Sequence, residues 1–158
     1  MTKQYMQMLV DGLKQKKEVL QELQKKTSRQ TAIIADENAD WEEFDQLVDL
    51  KSALIEKLTG LDDGFESVFA RVKDDLDCHR SEYKEQIKLL QKLIAEVTEL
   101  STGLMACEEH NKELVTKKFA EEKDKIRQGR VSSKVATNYY KSMNRVNYID
   151  PQLMDRKK

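Results

Sequence analysis

Two Cys-His pairs are the residues of this chain best suited to chemistry. Cys78 and His79 are adjacent, and Cys107 and His110 stand three positions apart. Together they hold the ligand types of a zinc site, whose atoms must lie about 2.0–2.3 Å from one ion. Between Cys78 and Cys107, however, runs helical sequence that would span roughly 43 Å along an axis. The two pairs therefore cannot converge within one chain. Cys107 and His110 alone could form a thiol-imidazole dyad, but nothing in the sequence supplies an orienting third group, an oxyanion hole or a concave pocket. No glycine-rich phosphate loop is present, and no strand to carry one. The expectation is a protein with no metal, no cofactor and no catalysis.

The composition points to long helices with solvated faces. Of 158 residues, 36% are charged and 6% aromatic, with 5 Gly and 1 Pro, too few turn residues and β-branched runs for a sheet. The length suits one domain. The N-terminal residues lack the apolar core of a signal peptide. No apolar run approaches the roughly 18 residues of a membrane span. The protein is expected in the cytoplasm, not inserted in a membrane, with its two cysteines reduced. The net charge of −1 conceals an asymmetry. Residues 129–158 hold seven Lys/Arg and two Asp, a net of +5, which leaves 21 basic and 27 acidic residues before them, a net of −6.

The organising stretch is Trp41 to Leu76. Three rows of apolar residues spaced by seven run along it: Leu47, Leu54, Leu61 and Val68; Val48, Ile55, Phe69 and Leu76; and Phe44, Leu58, Phe65 and Val72. Residues seven apart lie nearly in line on a helix, and three such rows suit a helix touching two or more neighbours. Lys51 and Asp62 interrupt the rows. Before this stretch, Met6, Leu13, Leu20, Thr27 and Ile34 mark a first helix over about residues 3–36. Its polar run from Gln24 to Gln30 implies that the second half packs more loosely or lies at an end of the bundle. Asp40 with Glu43 forms a capping-box-like start for the second helix. Gly60 and Gly64 mark either a kink or close helix contact within that helix, or a real break that gives four shorter helices in place of three.

The apolar phase nearly continues past Leu76, so periodicity alone does not separate the second helix from the third. One helix from Asp40 to Gln128 would be about 130 Å long, and dimerisation would have to cover most of it. A turn near residues 77–81, with Ser81 as a cap, instead lets three helices pack antiparallel. In the third helix Ser101, Glu108 and Asn111 place polar groups on the apolar stripe, which is there nearing the bundle's end or opening toward a partner. Phe119 and Ile126 stand isolated among charges and read as exposed positions or a docking stripe. The expected architecture is an all-α antiparallel bundle over residues 1–128, followed by a flexible basic tail over 129–158. That tail concentrates Tyr139, Tyr140, Met143, Val146, Tyr148 and Ile149, more large apolar groups than a purely solvating segment holds and the kind of anchor a partner-binding segment needs. Its basic residues and tyrosines could meet nucleic acid, but the acidic body would repel a duplex and no reading motif is present. No nucleic-acid partner is expected.

The chain resembles the FlgN-like flagellar export chaperones. The resemblance rests on Glu22-Leu23 to Ala35 leading into an acidic turn, and on Phe44 to Ile55, a helix whose Lys51 is followed by apolar pairs. It rests also on Asn111 with Leu114, similar to an Asn-x-x-Leu near the end of the family's third helix, and on the ending from Tyr139-Tyr140-Lys141 to Tyr148-Ile149-Asp150. The resemblance implies a cytosolic helical protein that binds hook-filament junction proteins, keeps their terminal helices soluble and helps deliver them to the flagellar export gate. It implies that binding uses the end of helix 3 and the tail: Asn111, Leu114, Val115, Phe119 and Ile126, with Tyr139, Tyr140, Met143, Val146, Tyr148 and Ile149 as anchors. A homodimer, a non-catalytic coiled-coil scaffold and a filament-cap chaperone remain as alternatives.

Overall fold

A computed structural model describes residues 1–121. Three α-helices account for almost all of them: α1 (Thr2–Ala35), α2 (Trp41–Cys78) and α3 (Lys84–Glu121). They run up, down and up, so α2 is antiparallel to both neighbours and α1 and α3 are parallel. The side-chain pairs show it. Lys17 on α1 meets Glu96 on α3, and Thr27 meets Glu108 further along; Tyr5 meets Arg71 and Lys16 meets Asp62 in the opposite sense.

The α1–α2 turn forms where the acidic residues place it. The Asp40 carboxylate accepts the backbone N–H of Glu43 at 3.0 Å, satisfying one of the donors that a helix start leaves without an intrahelical partner. Glu42 and Glu43 add negative charge at the positive end of the helix dipole. The second turn occupies residues 79–83, and Ile87 N–H donates to Tyr83 O at 2.9 Å. Ser81 lies inside that turn and not at the α3 cap, because the chain needs two more residues to reverse.

Gly60 and Gly64 neither break α2 nor interrupt it; the helix is continuous over all 38 residues. The Gln24–Gln30 half of α1 lies toward the bundle end at the α1–α2 turn, as one of the two expectations had it, but it is not loosely packed. Thr27 is wholly buried and Gln30 nearly so, since both find polar partners on other helices. Although α2 carries the three-row stripe, α1 is the helix whose backbone comes close to both others, and α2 and α3 approach each other closely only sparsely. The physical reason lies partly in the side chains that bridge α2 and α3: long groups such as Lys51 and Glu108 span the gap.

Three apolar clusters stack along the bundle. One joins Met6, Leu9 and Val10 to Phe69, Val72, Leu76, Leu90 and Ile94. The second joins Leu20 and Leu23 to Ile55, Leu58, Val97 and Leu104. The third closes the end at the α1–α2 turn with Ile33, Ile34, Trp41, Phe44, Val48 and Val115. Residues 122–128 of the expected bundle, and the whole of 129–158, lie outside the described residues.

Candidate partner-binding end of the bundle

The end of α3 reaches the α1–α2 turn, so the chain leaves the described bundle there. Two layers hold this end together. The inner layer is polar. Lys51 of α2 pairs with Glu108 of α3 and donates to Gln30 Oε1 of α1. Thr27 Oγ1 donates to Glu108 Oε1 at 2.6 Å, and Gln30 Nε2 donates to Phe44 O at 3.3 Å. Asn111 Nδ2 donates to Thr27 O at 3.2 Å, while Asn111 Oδ1 accepts from Thr31 Oγ1 at 2.7 Å. Burial pushes the Lys51 ammonium below its ordinary range, and Glu108 opposes that push. A buried charge is tolerated only when paired and hydrogen-bonded, and here groups from all three helices meet that requirement.

The outer layer is aromatic. Trp41, the chain's one tryptophan, contacts Phe44 with ring centroids 5.3 Å apart and Phe119 at 4.8 Å. Its Nε1–H is buried with no hydrogen-bond partner among the described residues. Lys118 lies 5.8 Å over the indole and donates to Ile34 O at 2.8 Å and to Asp36 O. A cation placed at the C-terminal carbonyls of α1 satisfies acceptors that the helix leaves open and complements its dipole. Lys118 and Phe119 thus pin the last turn of α3 to the turn between the other two helices.

Of the residues singled out from the sequence, Asn111 and Val115 are buried, and Leu114 and Phe119 are half-buried against the third apolar cluster. These four converge at one end of the bundle. Phe119 is not an isolated exposed ring, because Trp41 sits beneath it. Ile126, Tyr139, Tyr140, Met143, Val146, Tyr148 and Ile149 lie outside the described residues. Thr27, Gln30, Trp41 and Lys118 were not foreseen as parts of this end. Thr27 alone gave a signal, a polar residue in the core row Met6-Leu13-Leu20-Thr27-Ile34. Cys78 is exposed at the end of α2, whereas Cys107 is half-buried on α3 with Sγ 3.9 Å from Thr31 Oγ1. His79 binds its own helix through Asp75 Oδ1 at 2.9 Å.

Among curated proteins and among solved structures, none matches the chain. One protein-family model does, that of the FlgN protein, over residues 1–139. The matched stretch takes in all three helices, the polar layer and the chain as far as Tyr139. The chain belongs to the FlgN family of flagellar export chaperones.

Proposed function

We propose that this protein binds hook-filament junction proteins in the cytoplasm before their secretion, keeps their terminal helices soluble and helps deliver them to the flagellar export gate. It acts by binding and not by catalysis. The observation that carries this reading is the family match, which extends through the bundle and beyond it to Tyr139. The location is part of the proposal; among the described residues no helix is long and apolar enough to cross a membrane.

The cargo contacts are assigned to the end of α3 and the segment after it. Asn111, Val115, Leu114 and Phe119 act mainly by holding the end of α3 in place, since all are covered to some degree in the bundle. Ile126, Tyr139, Tyr140, Met143, Val146, Tyr148 and Ile149 supply the apolar anchors, because a few large side chains carry most of the energy of such an interface. The surrounding Lys and Arg residues steer the encounter.

Titration calorimetry of the full chain with a hook-filament junction protein from the same organism tests the reading. Tight binding by the wild type that weakens at least tenfold in Tyr139→Ala/Tyr140→Ala, about 1.4 kcal/mol, supports the tyrosine assignment. Unchanged affinity in that variant sinks the assignment, and no binding by the wild type sinks the cargo.

A further inference from the structure

Of the three helix pairs, α2 and α3 alone keep their backbones largely apart. That is the relation of a diagonal pair in a four-helix bundle, where only neighbouring helices pack closely. Among the described residues no helix stands at the corner opposite α1. Two rows border that corner. On α2 the leucine row from Leu47 lies toward α1, between the buried rows and Glu43 and Arg71, which meet Arg29 and Tyr5. On the opposite flank of α2 stand Asp45, Ser52 and Thr59, all half-buried. On α3 the Cys107 row lies toward α1, as its contact with Thr31 shows. Thr98, Met105 and Phe119, again half-buried, stand on the other flank. The two outer flanks therefore face each other across a seam on the far side of the bundle from α1. The seam's hydroxyls are closed onto their own helices. Ser52 Oγ donates to Val48 O at 3.0 Å, Thr59 Oγ1 to Ile55 O at 3.1 Å and Thr98 Oγ1 to Ile94 O at 2.7 Å. A helix laid over them would meet small side chains whose donors already have acceptors. Next round α2 from the Asp45 row, Glu42, Asp49, Glu56 and Asp63 form an exposed acidic rim.

We infer that residues 131–146 of this chain dock in the α2–α3 seam as a fourth helix, parallel to α2, in the protein free of cargo. Three observations select that occupant. The first is pattern. Val131, Val135, Tyr139 and Met143 are spaced by four and, with Val146, share one side of a helix, while Arg130, Lys134, Lys141 and Arg145 share another. The second is position and length. Phe119 belongs to the seam row and packs on Trp41, the first residue of α2, so the chain leaves α3 at one end of the seam. Residues 122–130 reach roughly 30 Å when extended, enough to turn back into it. From Val131 to Val146 a helix measures about 23 Å, against about 21 Å from Asp45 to Thr59. The third is charge and hand. A segment returning from the end of α3 runs parallel to α2. With its apolar side in the seam, the right-handed turn of the helix carries its basic side toward α2 and the acidic rim, not toward α3. Opposite charges so placed draw the two surfaces together and fix the register.

The seat separates two adjacent tyrosines: Tyr139 faces the seam, whereas Tyr140 lies on the outer flank and stays open to a partner. The inference itself requires no cargo, so its failure would leave the chaperone reading intact. Methyl NMR of the full-length protein alone tests it. The Thr59 and Met105 methyl signals are expected to shift in Tyr139→Glu/Met143→Glu, whose substitutions lie outside the described bundle. The Leu54 methyls, on the α1 side of α2, should stay in place, and the shifts should not depend on protein concentration. In Asp49→Lys/Glu56→Lys, at two exposed positions, the Met143 methyl should move toward its position in an unfolded chain. Thr59 and Met105 signals identical in the wild type and the tail variant would overturn the inference, as would a Met143 methyl unmoved by reversing the rim. Shifts that vanish on dilution would also overturn it, in favour of a second copy of the chain.

Discussion

Thr27 on α1 and Glu108 on α3, distant in the chain, share a 2.6 Å hydrogen bond in the interior of the bundle, where Thr27 has no exposed surface. The same carboxylate pairs with Lys51 on α2, so one side chain ties all three helices into a single register. An unpaired charge at this depth is costly, whereas a pair replaced as a unit need not be.

Glu108→Gln should therefore destabilise the protein by about 3–5 kcal/mol, because Lys51 is left buried without the carboxylate that pairs with it. Lys51→Met combined with Glu108→Met should recover most of that loss. Urea unfolding of the single and double variants distinguishes the two outcomes. Equal destabilisation by both would mean that the layer acts through shape alone.

The glycines of α2 give a prediction of opposite sign. A Cβ added at Gly60 or Gly64 meets nothing within 4 Å, and the helix runs through both. Gly60→Ala and Gly64→Ala should each stabilise the fold by about 1 kcal/mol, seen as a higher urea midpoint. A loss of stability would show that the backbone at these positions departs from a regular helix.

Phe119→Ala should loosen the end of α3. The ring is half-buried on Trp41, so removing it costs about 1–2 kcal/mol from lost apolar burial. Trp41 reports the change directly, and its emission in the folded variant should move to longer wavelength as water reaches the indole. An unaltered spectrum would place Phe119 away from Trp41 in solution.

Asp62 and Glu43 respond to acid in opposite directions. Burial raises the Asp62 carboxyl above its ordinary value of 3.8, with Lys16 at 2.7 Å opposing the shift. Between those two values the folded state holds more protons than the unfolded one, so Asp62 favours folding as the pH falls. Glu43, lowered by its hydrogen bond from Arg29, contributes stability above its unfolded value that is lost as pH falls through the folded one. Asp75 and Glu96, also lowered, have the same sign. Melting temperature should thus fall on acidification below pH about 5, and fall more steeply in Asp62→Asn. A shallower fall in the variant would contradict the assigned direction.

Much of this architecture was legible without coordinates because helices are local. Their hydrogen bonds close over four residues, so the rows through Leu13, Leu54 and Leu90, the Asp40–Glu43 start and the acidic turn could all be read along the chain. Family membership followed from the same kind of information. The polar residues within the rows were legible only as interruptions. Lys51, Asp62, Glu108 and Asn111 could each be seen to break the pattern, but their partners lie on other helices.

By itself, the sequence determined an all-α chain of amphipathic helices, the turn between the first two and a basic, tyrosine-bearing end, while three helices or four stayed open. Tertiary structure decided that α1 is the helix packed closely on both others, that Thr27 and Gln30 belong to the core, and that Phe119 rests on Trp41. The reason is that periodicity repeats within one helix, while the pairing of Thr27 with Glu108 depends on the direction and register of two helices separated by a third. Those are set only when all the side chains between them are packed together.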